Sequence, residues 1–291
     1  MTSVPVLRFA PSPNGPLHLG HALSALTGFD LARCLGGRFL VRIEDIDVAR
    51  CREDYVAGIF ADLAWLGVAW EEPVLRQSQL FPTYVRAAER LEAQKLLYPC
   101  FASRSEIEAA ARPGAVDPDG APLYPGLHKR LPRDEIEMRL EGGERFALRL
   151  DMEKALAAAR QRLGGAPLTF RELDDDGEPQ VLPAKPELWG DAVILRKDVP
   201  ASYHLAVVVD DARQGVTHVT RGRDLFQATG VHRLLQVLLG LPEPTYRHHR
   251  LLTDADGRKL SKSSGDTGLA ALRADGATPA DIRRLLGPSG I

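Results

Sequence analysis

The sequence predicts an α/β protein: a parallel nucleotide-binding sheet flanked by helices and interrupted by an inserted α+β subdomain. Three observations carry this expectation. Residues 4–10 form an apolar lead that Pro11 and Pro13 break into a loop before a helix start. Strand-like and helix-like stretches then alternate through residue 97. After an irregular middle, from about 100 to 190, the alternation returns at Asp191.

In chain order, Gly15 frees the backbone where Asn14 and Pro16 favour a turn, and a helical stretch opens at His18-Leu-Gly-His21 and runs to Leu35. A strand, a tight loop and a helix N-terminus together make an anion site, because first-turn N–H groups lack intrahelical partners. Two histidines one turn apart add donors at that entrance. A bare H-x-x-H also fits a capped helix with two incidental histidines, so other motifs must decide. Gly36-Gly37 stops the helix, and residues 38–43 alternate into a β-branched strand. Glu44-Asp-Ile-Asp47 follows at its carboxyl end, where open α/β sheets bind ligands. Tyr55, Val56, Ile59, Phe60, Leu63 and Leu66 form a helical stripe that Gly67 ends, and a second amphipathic stretch covers 81–97 before Tyr98-Pro99.

Through the middle, Pro and Gly scatter over 112–126, an acidic turn stands at 174–177, and 144–150 and 193–196 are the clearest strands. Farther on, valines over 203–211 favour a strand, 216–221 reads as a strand, and 225–239 as an amphipathic helix closed by Gly240 and Pro242. Residues 247–252 lead into a polar loop, 253–265, and 278–286 makes a last short helix. The expected units are 1–99 and 191–265 as two halves of one nucleotide-binding domain, 100–190 as an insertion, and 266–291 as a short helical C-terminal segment.

A net charge of -2 gives no global basic field, although a local patch suffices for RNA. With 26% charged and 44% hydrophobic residues, the chain has the balance of a soluble globule. No apolar run approaches the roughly 20 residues of a membrane helix, and the N-terminus lacks a basic region followed by an apolar one. No membrane association is expected, and the expected compartment is the cytoplasm. Cys34, Cys51 and Cys100 show no paired spacing and so give no disulfide framework. Cys34 and Cys51 are expected to be buried free thiols.

Two more motifs bear on chemistry. Lys259-Leu-Ser-Lys-Ser263 lies in the polar loop, about 240 residues after the histidine pair. Its two lysines, with the hydroxyls of Ser261, Ser263 and Ser264, can close over a triphosphate and bring positive charge to a displacement. By itself it would be a solvated basic turn. Arg42-Ile-Glu-Asp-Ile-Asp47 ends a strand with carboxylates, which alone would be solvated acids paired to Arg42.

In this order the three motifs resemble class I aminoacyl-tRNA synthetases. His18-Leu-Gly-His21 stands for the HIGH tetrapeptide and 259–263 for KMSKS, with Leu260 in the methionine place. The lead-in to the first motif and residues 42–47 are similar to the glutamyl subgroup, with Ile46 where threonine is usual. The resemblance implies a Rossmann-type catalytic domain with an inserted acceptor-like subdomain, and a helix at 203–211 against the preference of its valines. Free glutamate presents an ammonium and two carboxylates, so its pocket needs an acceptor and two cations. Matching to the subgroup assigns glutamate contacts to Arg8, Ala10, Ser12, Glu44, Tyr203 and Arg221, with Glu44 on the ammonium and the arginines on the carboxylates. It assigns ATP to His18, Gly20, His21, Lys259, Ser261 and Lys262, with His18, His21 and Lys262 stabilising charge as the substrate carboxylate attacks the α-phosphorus. Mg²⁺ is expected with the leaving phosphates.

The chain stops about 28 residues past the KLSKS loop, where full-length glutamyl enzymes continue into an anticodon-binding domain. It therefore looks like the truncated paralogues, the glutamyl-Q tRNA(Asp) synthetases. These activate glutamate without tRNA and attach it to the queuosine base in the anticodon of tRNA(Asp). A monomer is expected, with residues 247–250 and Lys129-Arg130 meeting anticodon-arm phosphates. One rival is a truncated discriminating glutamyl-tRNA synthetase charging a tRNA 3′ end. Another is a non-catalytic RNA-binding paralogue, which the intact motifs oppose. Relatives often bind zinc through a C-x-C pair and a later Tyr and Cys. Here Cys100, Tyr124 and His128 remain, with Ala102 in a ligand's place, so no zinc is expected.

Overall fold

The computed structural model describes residues 4–174, 176–252 and 268–287. The first half-sheet holds β1 (Val6–Phe9), β2 (Arg38–Ile43) and β3 (Glu71–Arg76), all parallel and in that order, joined by α1 (Leu19–Cys34) and α2 (Glu53–Trp65). β1 is wholly buried, and α1 is buried on most of its surface because the sheet lies on one side and the C-terminal helix on the other. β3 is an addition to the expected elements: Glu71, Glu72 and Pro73 give it no alternation, and it survives as an edge strand.

The second amphipathic helix, α3, spans only Phe81–Glu92. Lys95 then takes a left-handed φ of 59°, and Leu97–Cys100 forms β4 instead of continuing the helix to residue 97. There follow α4 (Arg104–Ala110), α5 (Arg133–Glu141), β5 (Ala147–Leu150), α6 (Met152–Arg162), the hairpin β6 (Thr169–Leu173) and β7 (Pro179–Pro183), and β8 (Val193–Leu195). β5 and β8 fall on the two strands read from sequence. β4, β5 and β8 make a small antiparallel sheet, whereas β6 pairs parallel with β10 of the second half-sheet.

The remaining elements are α7 (Tyr203–Arg213), β9 (His218–Gly222), α8 (Ala228–Leu239), β10 (Thr245–His249), α9 (Leu269–Ala274) and α10 (Pro279–Leu286). Residues 203–211 are thus helical: Ser202 caps the N-terminus, and Val207 and Val208 are buried in the core shared with α3 and α8. β9 and β10 are parallel, with order β7-β6-β10-β9. The two half-sheets abut at β1 and β9, where Thr217 N–H donates to the Val6 carbonyl at 2.9 Å and Val6 N–H to Thr217 Oγ1 at 2.8 Å. α1 crosses close over that seam. A Cβ on Gly28 would lie 2.7 Å from Thr220 Oγ1, so only glycine lets the helix sit so near β9. Cys34 is exposed and Cys51 half-buried, contrary to expectation, and only Cys100 is buried. Cys34 ends α1 on its outer side, where no core reaches it. Among the described residues, no helix is long and apolar enough to cross a membrane.

Candidate active site

The carboxyl ends of β1, β2, β9 and β10 open onto one cavity of about 710 Å³. Arg8, Ala10 and Ser12 reach it from β1 and the following loop, Glu44 from the end of β2, Tyr203 from the first residue of α7, and Arg221 from β9. All six residues expected to hold the amino acid therefore meet around one space, as do His18, Gly20 and His21 at the start of α1. The cavity sits where the two half-sheets join, the crevice that open parallel sheets offer to ligands. Lys259, Ser261 and Lys262 lie outside the described residues.

The two histidines cap α1 reciprocally. His18 Nδ1 accepts the N–H of Gly20 at 3.0 Å, and His21 Nδ1 accepts the N–H of His18 at 3.2 Å. A nitrogen that accepts carries no proton, so both neutral rings hold theirs on Nε2. A Cβ at Gly20 would fall 2.9 Å from His18 Cε1 and 3.1 Å from Nδ1, so the glycine keeps room for that ring.

Below the cavity lies a buried charge cluster. Arg8 donates through Nε to Asp211 Oδ1 at 2.9 Å and through Nη2 to Oδ2 at 3.2 Å. Arg42, fully buried, donates through Nη1 to the same Asp211 Oδ1 at 2.7 Å and to Gln214 at 3.0 Å, and through Nη2 to Glu44 at 3.2 Å. Burial works against the Arg42 charge, but Asp211, Glu44 and Asp210 outweigh it and hold the guanidinium protonated beyond its ordinary range. Burial likewise pushes Asp211 up, and Arg8 and Arg42 more than reverse it, leaving its carboxyl below the usual range. Glu44 goes the other way: burial raises its carboxyl despite the pull of Arg42 and Arg8. An ammonium arriving at Glu44 would favour its ionised form and relieve that penalty.

Arg221 is held differently. It donates through Nε to His248 Nε2 at 3.1 Å, through Nη2 to Thr229 Oγ1 at 2.6 Å and through Nη1 to Tyr203 Oη at 3.5 Å, with His232 Nδ1 3.0 Å from Nη1. Its partners are all uncharged, and among the described residues it makes no ion pair. A buried guanidinium without an anion beside a cavity is a place for a carboxylate.

Residues 5–291 match the family described as tRNA synthetases class I (E and Q), catalytic domain. The chain belongs to that family. It is 46% identical over 289 residues to a glutamyl-Q tRNA(Asp) synthetase of Rhodobacter capsulatus, covering 97% of this chain and 99% of that protein. It is 39% identical over 280 residues to glutamate–tRNA ligase 2 of Nitrosococcus oceani, covering 94% of this chain and 56% of that one. A crystal structure of glutamate-tRNA synthetase from Elizabethkingia anophelis superposes with a TM-score of 0.70 at 27% identity, covering 90% of this chain and 53% of that chain.

In this class I synthetase several expected surface cations serve the interior. Lys129 pairs with Asp151 at 2.9 Å and Asp191 at 3.1 Å, and Arg247 and His248 are buried, so none of the three is presented to a phosphate. Arg130 and Arg250 stay exposed. Cys100, Tyr124 and His128 do converge, with Cys100 Sγ 3.4 Å from Tyr124 Oη, but His128 Nδ1 accepts the N–H groups of Phe101 at 3.0 Å and Ala102 at 3.1 Å. Its lone pair is thus spent on the backbone, Ala102 offers no ligand, and the trio does not fit a zinc ion. Sequence reasoning assigns no role to Asp211, His232 or Glu172, and it assigns His248 to phosphate contact instead of to Arg221. The one available signal was Asp210-Asp211 closing a valine run, two acids on what proves a buried helix.

Proposed function

We propose that the chain is an ATP-dependent ligase that activates L-glutamate to glutamyl-adenylate without tRNA and transfers the glutamyl group to the queuosine base in the anticodon of tRNA(Asp). The observation that carries the glutamate reading is Arg221, a buried cation facing the cavity with only neutral partners among the described residues. Glu44 supplies an acceptor for the ammonium, and Arg8 and Arg221 two cations for the carboxylates, with the Tyr203 hydroxyl beside Arg221. One glutamate carboxylate oxygen attacks the α-phosphorus of ATP, a P–O bond forms, and the bond to pyrophosphate breaks. His18 and His21, each donating from Nε2 near the α1 N-terminus, and Lys259, Ser261 and Lys262 from the KLSKS motif, stabilise the charge that accumulates. Then a queuosine hydroxyl attacks the acyl carbonyl, an ester bond forms, and AMP departs.

Magnesium would neutralise the leaving phosphates. Among the described residues no group of three or more His, Cys, Asp or Glu side chains is placed to hold a metal ion. The queuosine acceptor is supported by the greater identity to the glutamyl-Q tRNA(Asp) synthetase than to the glutamate–tRNA ligase. In this reading the enzyme works as a monomer, in the cytoplasm, where its substrates ATP and tRNA occur together.

Glutamate-dependent ATP–pyrophosphate exchange without tRNA, followed by labelled-glutamate transfer to tRNA(Asp) with and without queuosine, tests the reading. Exchange without tRNA and transfer to the queuosine form alone is expected. Exchange that requires tRNA(Glu), with label on its 3′ end, would instead make it a glutamyl-tRNA synthetase.

A further inference from the structure

Among the described residues, Arg8 and Arg221 are buried arginines that line the cavity and Arg42 is buried behind Glu44; Arg8 and Arg42 are tied to Asp211. Arg221 is held by four hydrogen-bond partners, with no carboxylate touching it among the described residues. A guanidinium only donates, so His248 Nε2 and His232 Nδ1 must both be lone pairs. The His248 proton then sits on Nδ1, 2.9 and 3.0 Å from the two Glu172 oxygens, and Glu172 also accepts the backbone N–H of residue 248 at 2.8 Å. The His232 proton sits on Nε2, 3.2 Å from His204 Nδ1. The His248 ring is clamped between Tyr246, stacked at 6.0 Å, and Phe226, edge-on at 5.1 Å. Burial and the neighbouring Arg221 keep His232 and His248 neutral.

Glu172 is one imidazole removed from Arg221. In direct contact it would neutralise the guanidinium and occupy its donors; at one remove it orients the ring that orients the arginine.

We propose that His248, set by Glu172, and His232 are positioning residues that aim Arg221 into the cavity while leaving its charge for the carboxylate of the substrate. This rests on the glutamate reading above. Neither histidine needs to touch substrate; each acts through Arg221.

The test uses the full chain in glutamate-dependent ATP–pyrophosphate exchange. In His248→Asn the shorter amide can still bond Glu172 but offers Arg221 no acceptor, whereas the His248→Gln oxygen can take the Nε2 place. His248→Asn should raise KM for glutamate about tenfold, the loss of one hydrogen bond to a charged group, while KM for ATP and kcat stay within about twofold. His248→Gln should restore most of the glutamate affinity. An unchanged glutamate KM in His248→Asn, or equal losses of kcat and both KM values, would overturn the proposal. Histidine ¹⁵N chemical shifts of the wild-type protein read the tautomer without substrate: a proton on His248 Nδ1 is expected, and one on Nε2 refutes the arrangement. Absence of glutamate-dependent exchange in the wild type would remove the glutamate reading, and the shifts would still decide the tautomer.

Discussion

Arg8 and Asp211, 203 residues apart, form a two-point ion pair, Nε to Oδ1 at 2.9 Å and Nη2 to Oδ2 at 3.2 Å. Because Asp211 Oδ1 also takes Arg42 at 2.7 Å, this one carboxylate fastens β1 and β2 to α7. Asp211→Asn keeps the shape but leaves two buried guanidiniums short of charge. It should cost about 3 kcal/mol in urea unfolding, the low end for breaking a buried pair, and raise KM for glutamate. A loss below about 1 kcal/mol would show that Glu44 and Asp210 suffice.

His204 gives the pH dependence of stability. Burial, with Arg221 nearby, lowers its pKa from 6.5 to about 4. Between these values the unfolded chain holds a proton that the folded chain does not, so stability falls on acidification through that window. From pH 7 to pH 5 the loss from this group is about 2 kcal/mol. Urea midpoints of wild type and His204→Gln at the two pH values check it: the variant should lose about 2 kcal/mol less. Equal losses would mean that His204 protonates alike in both states.

At Gly20 stability and activity should separate. An alanine there must displace the His18 ring, costing a cap of about 1 kcal/mol, while helix propensity returns nearly as much. Gly20→Ala is therefore expected to unfold within about 1 kcal/mol of wild type yet exchange pyrophosphate at least about tenfold more slowly, one misdirected hydrogen bond in the displacement. Full activity in the folded variant would detach His18 from ATP.

His128 should behave as a structural acceptor. His128→Ala strands the N–H groups of the buried Phe101 and Ala102, at about 1–3 kcal/mol each, and His128→Asn, whose oxygen can stand near Nδ1, should recover part of the loss. Thermal melts with and without EDTA should coincide for the wild type. A melt lowered by EDTA would reveal a metal instead.

Local patterns carried much of this to the reader of the sequence. The Pro-broken lead and capped histidines put α1 and its entrance in place, and the stripe from Tyr55 to Leu66 gave α2. Residues 203–211 show the limit, since β-branched propensity favours a strand and burial against α3 and α8 makes a helix. Lys95 in a left-handed turn had no glycine to announce it. The six amino-acid contacts were legible only through a motif, because nothing local to Arg8 says that it will meet Arg221. Their supports were not legible at all: Asp211, His248 and Glu172 act through pairings across 203, 27 and 76 residues, and a charge partner at such distance leaves no periodicity behind.

The Arg42–Asp211 pairing also bears on how the chain emerges from the ribosome. The two residues are separated by 169 positions, an interval of about 10–30 s at 5–20 residues per second. Throughout that interval the nascent β1 and β2 carry Arg8 and Arg42 without the carboxylate that binds them both. The N-terminal half therefore leaves the ribosome with these two arginines lacking their shared partner, and the pocket closes only after α7, β9 and β10 have been translated.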